Sequence, residues 1–62
     1  MAAFESYQAF NAKIPERDLS VINDLQTLAW SDLLAARSEE ARLRVVENYV
    51  RDVRERLVTQ KG

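Results

Sequence analysis

An all-α fold is what this sequence predicts: a helical hairpin preceded by a short helical arm, three helices in one small domain over residues 1–62. Three observations carry that expectation. Its single glycine is Gly62 and its single proline is Pro15, so between Glu16 and Lys61 neither strong helix breaker occurs. Leu43, Val46, Val50, Val53 and Leu57 recur at intervals of three and four, the spacing that lines one side of a helix. Phe4, Tyr7, Phe10 and Ile14 do the same ahead of the proline.

The arm comes first. Its aromatic stripe predicts a short helix over about 3–13 within an arm spanning 1–14, because proline disfavours the helical conformation at the preceding residue. Pro15 suits a first helical position, with Glu16 and Asp18 favourable near the positive end of the next helix dipole. A start nearer Ser20 is the alternative.

The central helix is expected over 16–36, within a segment spanning 15–37. Ile22, Leu25, Ala29, Leu33 and Ala36 form its main apolar face. Val21 and Leu28 widen that face on one side, and Leu19, Trp30 and Leu34 extend it on the other. A helix packed on one neighbour needs an apolar stripe of roughly 100°. This one has a surplus, so the central helix should be approached from at least two directions.

The third segment, 38–60, carries the Leu43–Val46–Val50–Val53–Leu57 seam with Val45 and Tyr49 beside it and Arg44, Glu47, Arg51 and Glu55 opposite. Its end should fray, with 61–62 as a tail. Whether the second and third segments are separate is the difficult point, because the heptad frame runs on through Asp32, Ala36, Glu39 and Leu43 without an insertion. A parallel pair of such rods would bury Asp32 against Asp32 and Glu39 against Glu39. Ser38, followed by Glu39 and Glu40, is in turn a good N-cap. The expectation is a hairpin turning near Arg37 and Ser38, although no glycine marks the helix end.

Composition bounds the chemistry. A chain of 62 residues exposes about 40% of its unfolded surface even when folded, and small folds usually add disulfides, a metal or a partner chain. With no cysteine and no histidine, disulfides and the commonest metal ligands are missing. That leaves oligomerisation, and a helical bundle dimer is the expected assembly. Catalysis lacks its usual general base and nucleophilic thiol, and glycine-rich phosphate loops and calcium loops cannot be built from one glycine. No catalytic, metal-binding or cofactor-binding residue is therefore assigned, and no cofactor is expected. The amino terminus has neither a basic start nor a continuous apolar run, and no stretch approaches the roughly 18 apolar residues of a spanning helix, so a cytoplasmic location away from membranes is expected.

Net charge is −1, which gives the whole molecule no electrostatic reason to seek nucleic acid. The charge is uneven: Lys13 and Arg17 against Glu5, Glu16, Asp18, Asp24 and Asp32 in residues 1–36, then six arginines and Lys61 against Glu39, Glu40, Glu47, Asp52 and Glu55. Helical spacing pairs many of these, as Glu40–Arg44, Glu47–Arg51, Asp52–Arg56 and Arg51–Glu55, which describes a solvated face.

The sequence thus points to a non-catalytic protein–protein interaction module, a regulatory, inhibitory or accessory subunit. Its expected interface with a partner or a second copy is Phe4, Tyr7, Phe10, Trp30, Leu34, Leu43, Val46, Val50, Val53 and Leu57. The alternative is a dimeric nucleic-acid-binding regulator using Arg42, Arg44, Arg51, Arg54 and Arg56.

Overall fold

A computed structural model describes residues 2–61, and all of its regular structure is helical. The helices are α1 (Ala2–Ala12), α2 (Glu16–Leu19), α3 (Asn23–Ala35) and α4 (Glu39–Lys61). The fold class is as expected, but the helices number four among the described residues. Of the tail expected at 61–62, Lys61 still belongs to α4, and Gly62 lies outside the described residues.

The extra boundary falls within the expected central helix. Ser20, Val21, Ile22, Asn23 and Asp24 are five consecutive residues of modest helix propensity, two of them β-branched. There the ladder stops: the amides of Val21 and Ile22 both donate to the Asp18 carbonyl, at 3.1 and 3.3 Å. Ile22 adopts φ −108°, ψ 13°, and its carbonyl opens a new ladder by accepting from the Gln26 amide at 3.0 Å. Apolar periodicity is blind to this break, because Ile22 belongs to the buried face whether or not the helix is continuous. The break turns Ile22 fully inward and leaves the Val21 carbonyl to accept from Arg56 Nη1 at 3.1 Å.

Around Pro15 the chain turns tightly. The amides of Lys13 and Ile14 donate three residues back, to Phe10 and Asn11, which closes the end of α1. Pro15, with φ −58° and ψ 142°, precedes α2 as its cap and does not occupy the first helical position.

Between α3 and α4 the hairpin turns where expected, and the rod is excluded. Ala36 is extended (φ −66°, ψ 139°), and Ser38 Oγ accepts from the Ala41 amide at 3.1 Å while its carbonyl accepts from Arg42. Arg42 Nη1 donates to the Ala36 carbonyl at 3.3 Å, so an arginine covers the helix end that a glycine would ordinarily close. Replacing Ser38 with alanine is expected to lower stability by about 1 kcal/mol, read as a lower urea midpoint at unchanged slope.

Helix α4 packs against both α1 and α3. Asp24 meets Arg56, so α3 runs antiparallel to α4; Ala3 meets Glu39 and Asn11 meets Tyr49, so α1 runs parallel to it. The arm therefore folds back onto its own hairpin. The molecule is 36 Å long and 17 by 15 Å across, its length that of α4. Ala3, Tyr7, Ile22, Ala29, Leu33, Val46, Tyr49 and Val53 form the core, one or more from each long helix.

Candidate functional site

An aromatic chain runs through the junction of the three long helices. Phe4 meets Trp30 edge-on at 5.7 Å, Trp30 lies 5.8 Å from Tyr7, Tyr7 lies 5.1 Å from Tyr49, and Phe10 meets Tyr49 edge-on at 5.7 Å. Both phenols are satisfied: Tyr7 donates to the Gln26 carbonyl at 3.2 Å and Tyr49 to Asn11 Oδ1 at 2.5 Å. Burial pushes the Tyr49 phenol above its ordinary pKa.

This cluster divides the residues expected at an interface. Tyr7, Val46 and Val53 are buried in the chain's own core, and Phe4, Phe10, Val50 and Leu57 pack partly against it. Trp30, Leu34 and Leu43 stand out, at 42, 64 and 43% exposure. The buried line of α4 runs through Val46, Tyr49 and Val53, so the seam is rotated from the expected one toward Tyr49, away from Leu43 and Val50. Tyr49 lies three residues after Val46 and four before Val53, a spacing visible in the sequence; its partner Asn11 carries no such signal.

Two faces of α3 remain uncovered. On the α1 side, Asn23, Thr27, Trp30, Ser31 and Leu34 are all exposed and follow helical spacing. None is charged, and the Thr27 hydroxyl is turned to its own helix, donating to the Asn23 carbonyl at 3.0 Å. On the far side a groove of about 190 Å³ runs between α3 and α4, with Leu25, Leu28, Ala29 and Val45 in its apolar lining and Asp32 and Asp52 beside it.

The arginines divide in the same way. Arg42 bonds Glu39 at 3.1 Å as well as the Ala36 carbonyl, and Arg56 forks onto both carboxylate oxygens of Asp24, at 3.0 and 3.2 Å. These two are structural ties. Arg44 pairs with Glu40 at 3.8 Å and Arg51 with its neighbour Asp52 at 3.6 Å, both in solvent, and Arg54 is exposed. Glu40–Arg44 forms as expected. Arg56 turns from Asp52 to Asp24, and Arg51 from Glu47 and Glu55 to Asp52, because the neighbouring helix offers Arg56 a bidentate partner and Asp52 lies within reach of Arg51.

Each end of the bundle is thus clasped by an arginine–carboxylate node. Glu39 Oε2 accepts from the Ala3 amide at 2.8 Å, joining the start of α1 to the start of α4. That hydrogen bond, followed by the one from Arg42, lowers the Glu39 pKa, and the Arg56 hydrogen bond lowers that of Asp24. Both carboxyls favour the charged form in the folded chain, so the unfolded chain binds more protons as acid is added. Stability from these nodes is present above the ordinary carboxylate range, about pH 4, and lost as pH falls through the lower folded values. Melting temperature should drop below about pH 4, and the double variant Asp24→Asn/Glu39→Gln should melt lower at neutrality with a shallower acid dependence.

Among the described residues no three histidine, cysteine or carboxylate side chains gather as a metal site, and no helix is long and apolar enough to cross a membrane. Comparison with known proteins finds no matching family model, no matching curated protein and no matching solved structure.

Proposed function

We propose that this chain is a small non-catalytic protein–protein interaction module of the cytoplasm, a regulatory, inhibitory or accessory subunit, and that it self-associates as a dimer of helical bundles. The observation that carries this reading is the uncharged, exposed stripe of Asn23, Thr27, Trp30, Ser31 and Leu34. In a two-fold interface a patch meets a copy of itself, so any charge near the axis faces its own kind. A neutral stripe that carries a tryptophan and a leucine meets that condition, and tryptophan is a frequent interface anchor. No charged residue interrupts it, whereas the outer side of α4 is dense with charge.

The nucleic-acid reading is supported less well. Two of its five arginines are engaged within the fold, and the other three stand among Glu40, Glu47, Asp52 and Glu55.

Light scattering behind a sizing column tests the proposal. The chain should run as a dimer that dissociates on dilution. Leu34→Glu should be monomeric at every concentration, and its monomer stability should stay within about 0.5 kcal/mol of the parent because the side chain lies outside the core. A parent that is monomeric throughout, or a Leu34→Glu variant that still dimerises, sinks it.

A further inference from the structure

We infer that the groove between α3 and α4 is a docking site for a basic amphipathic helix of another protein. Leu25, Leu28, Ala29 and Val45 give it an apolar lining, and Leu28 is 62% exposed with no neighbour over it. The groove continues into a second, mostly polar one of about 320 Å³, with which it shares Leu25 and Asp52 and which reaches Glu55, Arg56 and Thr59. Together they follow α4 from Val45 to Thr59, about 21 Å, the length of a helix of about 14 residues.

Its charges identify the occupant. Asp32 stands on the α3 wall and Asp52 on the α4 wall, with Glu55 farther along. Asp32 has no ion-pair partner among the described residues, and Asp52 makes one ion pair, with its neighbour Arg51 at 3.6 Å in solvent, besides a weaker attraction to Arg56. Arg56, the one cation lining the groove among the described residues, bonds Asp24 and the Val21 carbonyl and also feels the charge of Asp52. An apolar floor between Val45 and Asp52, flanked by Asp32 and Asp52, fits a helix with leucine-like residues at i, i+3, i+4 and i+7 and lysine or arginine on both flanks. A second copy docking groove to groove would bring four aspartates together, so self-association belongs to the neutral face on the other side of α3. This inference does not depend on that dimer.

The probe is an amphipathic helix of about 14 residues built from leucine and lysine, which matches the groove in length, followed by fluorescence anisotropy of the labelled peptide and by amide shifts of the chain. Binding should saturate at one peptide per chain, with shifts at Leu25, Leu28, Val45 and Asn48. Affinity should fall about tenfold or more for Asp32→Lys/Asp52→Lys, less for the same-shape pair Asp32→Asn/Asp52→Asn, and should be lost for a leucine–glutamate peptide. Glu16→Lys/Glu47→Lys, with the same charge change outside the groove, should bind like the parent. Equal weakening by that control reduces the effect to general charge attraction and overturns the inference. So do peptide shifts confined to the Trp30–Leu34 stripe, or groove shifts that change on dilution of the free chain, which would mean a second copy fills it.

Discussion

Tyr49→Ala is expected to lower the urea midpoint sharply, at a cost of about 3–5 kcal/mol. Tyr49 is 3% exposed and stands where α1, α3 and α4 meet: its ring contacts Tyr7 and Phe10, and its hydroxyl holds Asn11. Deleting a buried aromatic costs about 3–5 kcal/mol. A domain of this size has in total about 3–9 kcal/mol, at about 0.05–0.15 kcal/mol per residue. The substitution therefore removes from about a third to all of that stability. Tyr49→Phe separates the two contributions, since it keeps the ring and loses only the bond to Asn11, about 1 kcal/mol. Far-ultraviolet circular dichroism in a urea titration measures both. A Tyr49→Ala chain with the parent's midpoint would mean that α1 does not rest on α4 as described.

The same residue explains what the sequence disclosed and what it withheld. Local signals were readable: Ser38 with two following acids marked the start of α4, and Pro15 separated the arm from the rest. The wide apolar arc on α3 is met by α4 along its length but by α1 chiefly through Phe4 and Tyr7 on Trp30, which leaves Leu28 and Leu34 exposed. The strict seam on α4 was harder, because a helix wedged between two partners centres its buried arc between them. Val46, Tyr49 and Val53 lie on that bisector, whereas Leu43, first in the sequence pattern, is 43% exposed. Arg42 and Arg56 carried no sequence mark as structural residues. Their roles depend on where Ala36, Val21 and Asp24 come to rest, which only the tertiary fold decides.

Those two nodes and the aromatic junction divide the work of holding a thin core. The junction supplies apolar burial at mid-length, and the nodes fix the two ends in register. Because every long helix gives its inward face to this arrangement, the proposed interactions use the outward sides of α3 and α4. The proposed dimer takes the neutral stripe and the proposed basic helix takes the groove beside Asp32 and Asp52. The two surfaces lie on opposite sides of α3, so the two proposals do not compete for one surface.

Ile22→Ala is the second substitution expected to cripple the fold, at a cost of about 2–5 kcal/mol, with Ile22→Val costing about 0.5–1.5 kcal/mol. Ile22 is wholly buried although it lies in the break between α2 and α3, a place where chains usually turn outward. The break has a function in the packing: it inserts Ile22 and sets the Val21 carbonyl against Arg56, which in turn reaches Asp24 at the start of α3. Loss of the side chain would open a cavity at the end of the bundle farthest from the 36–38 turn, where α1 no longer runs beside α4. Protection of the Gln26 amide, the first of the new ladder, should fall with it while the Ala41 amide, held by Ser38, keeps its protection. Uniform loss of protection in hydrogen exchange would mean the two ends unfold together. An unchanged urea midpoint would mean the break is a solvent-facing kink and that Ile22 is not the plug it is described to be.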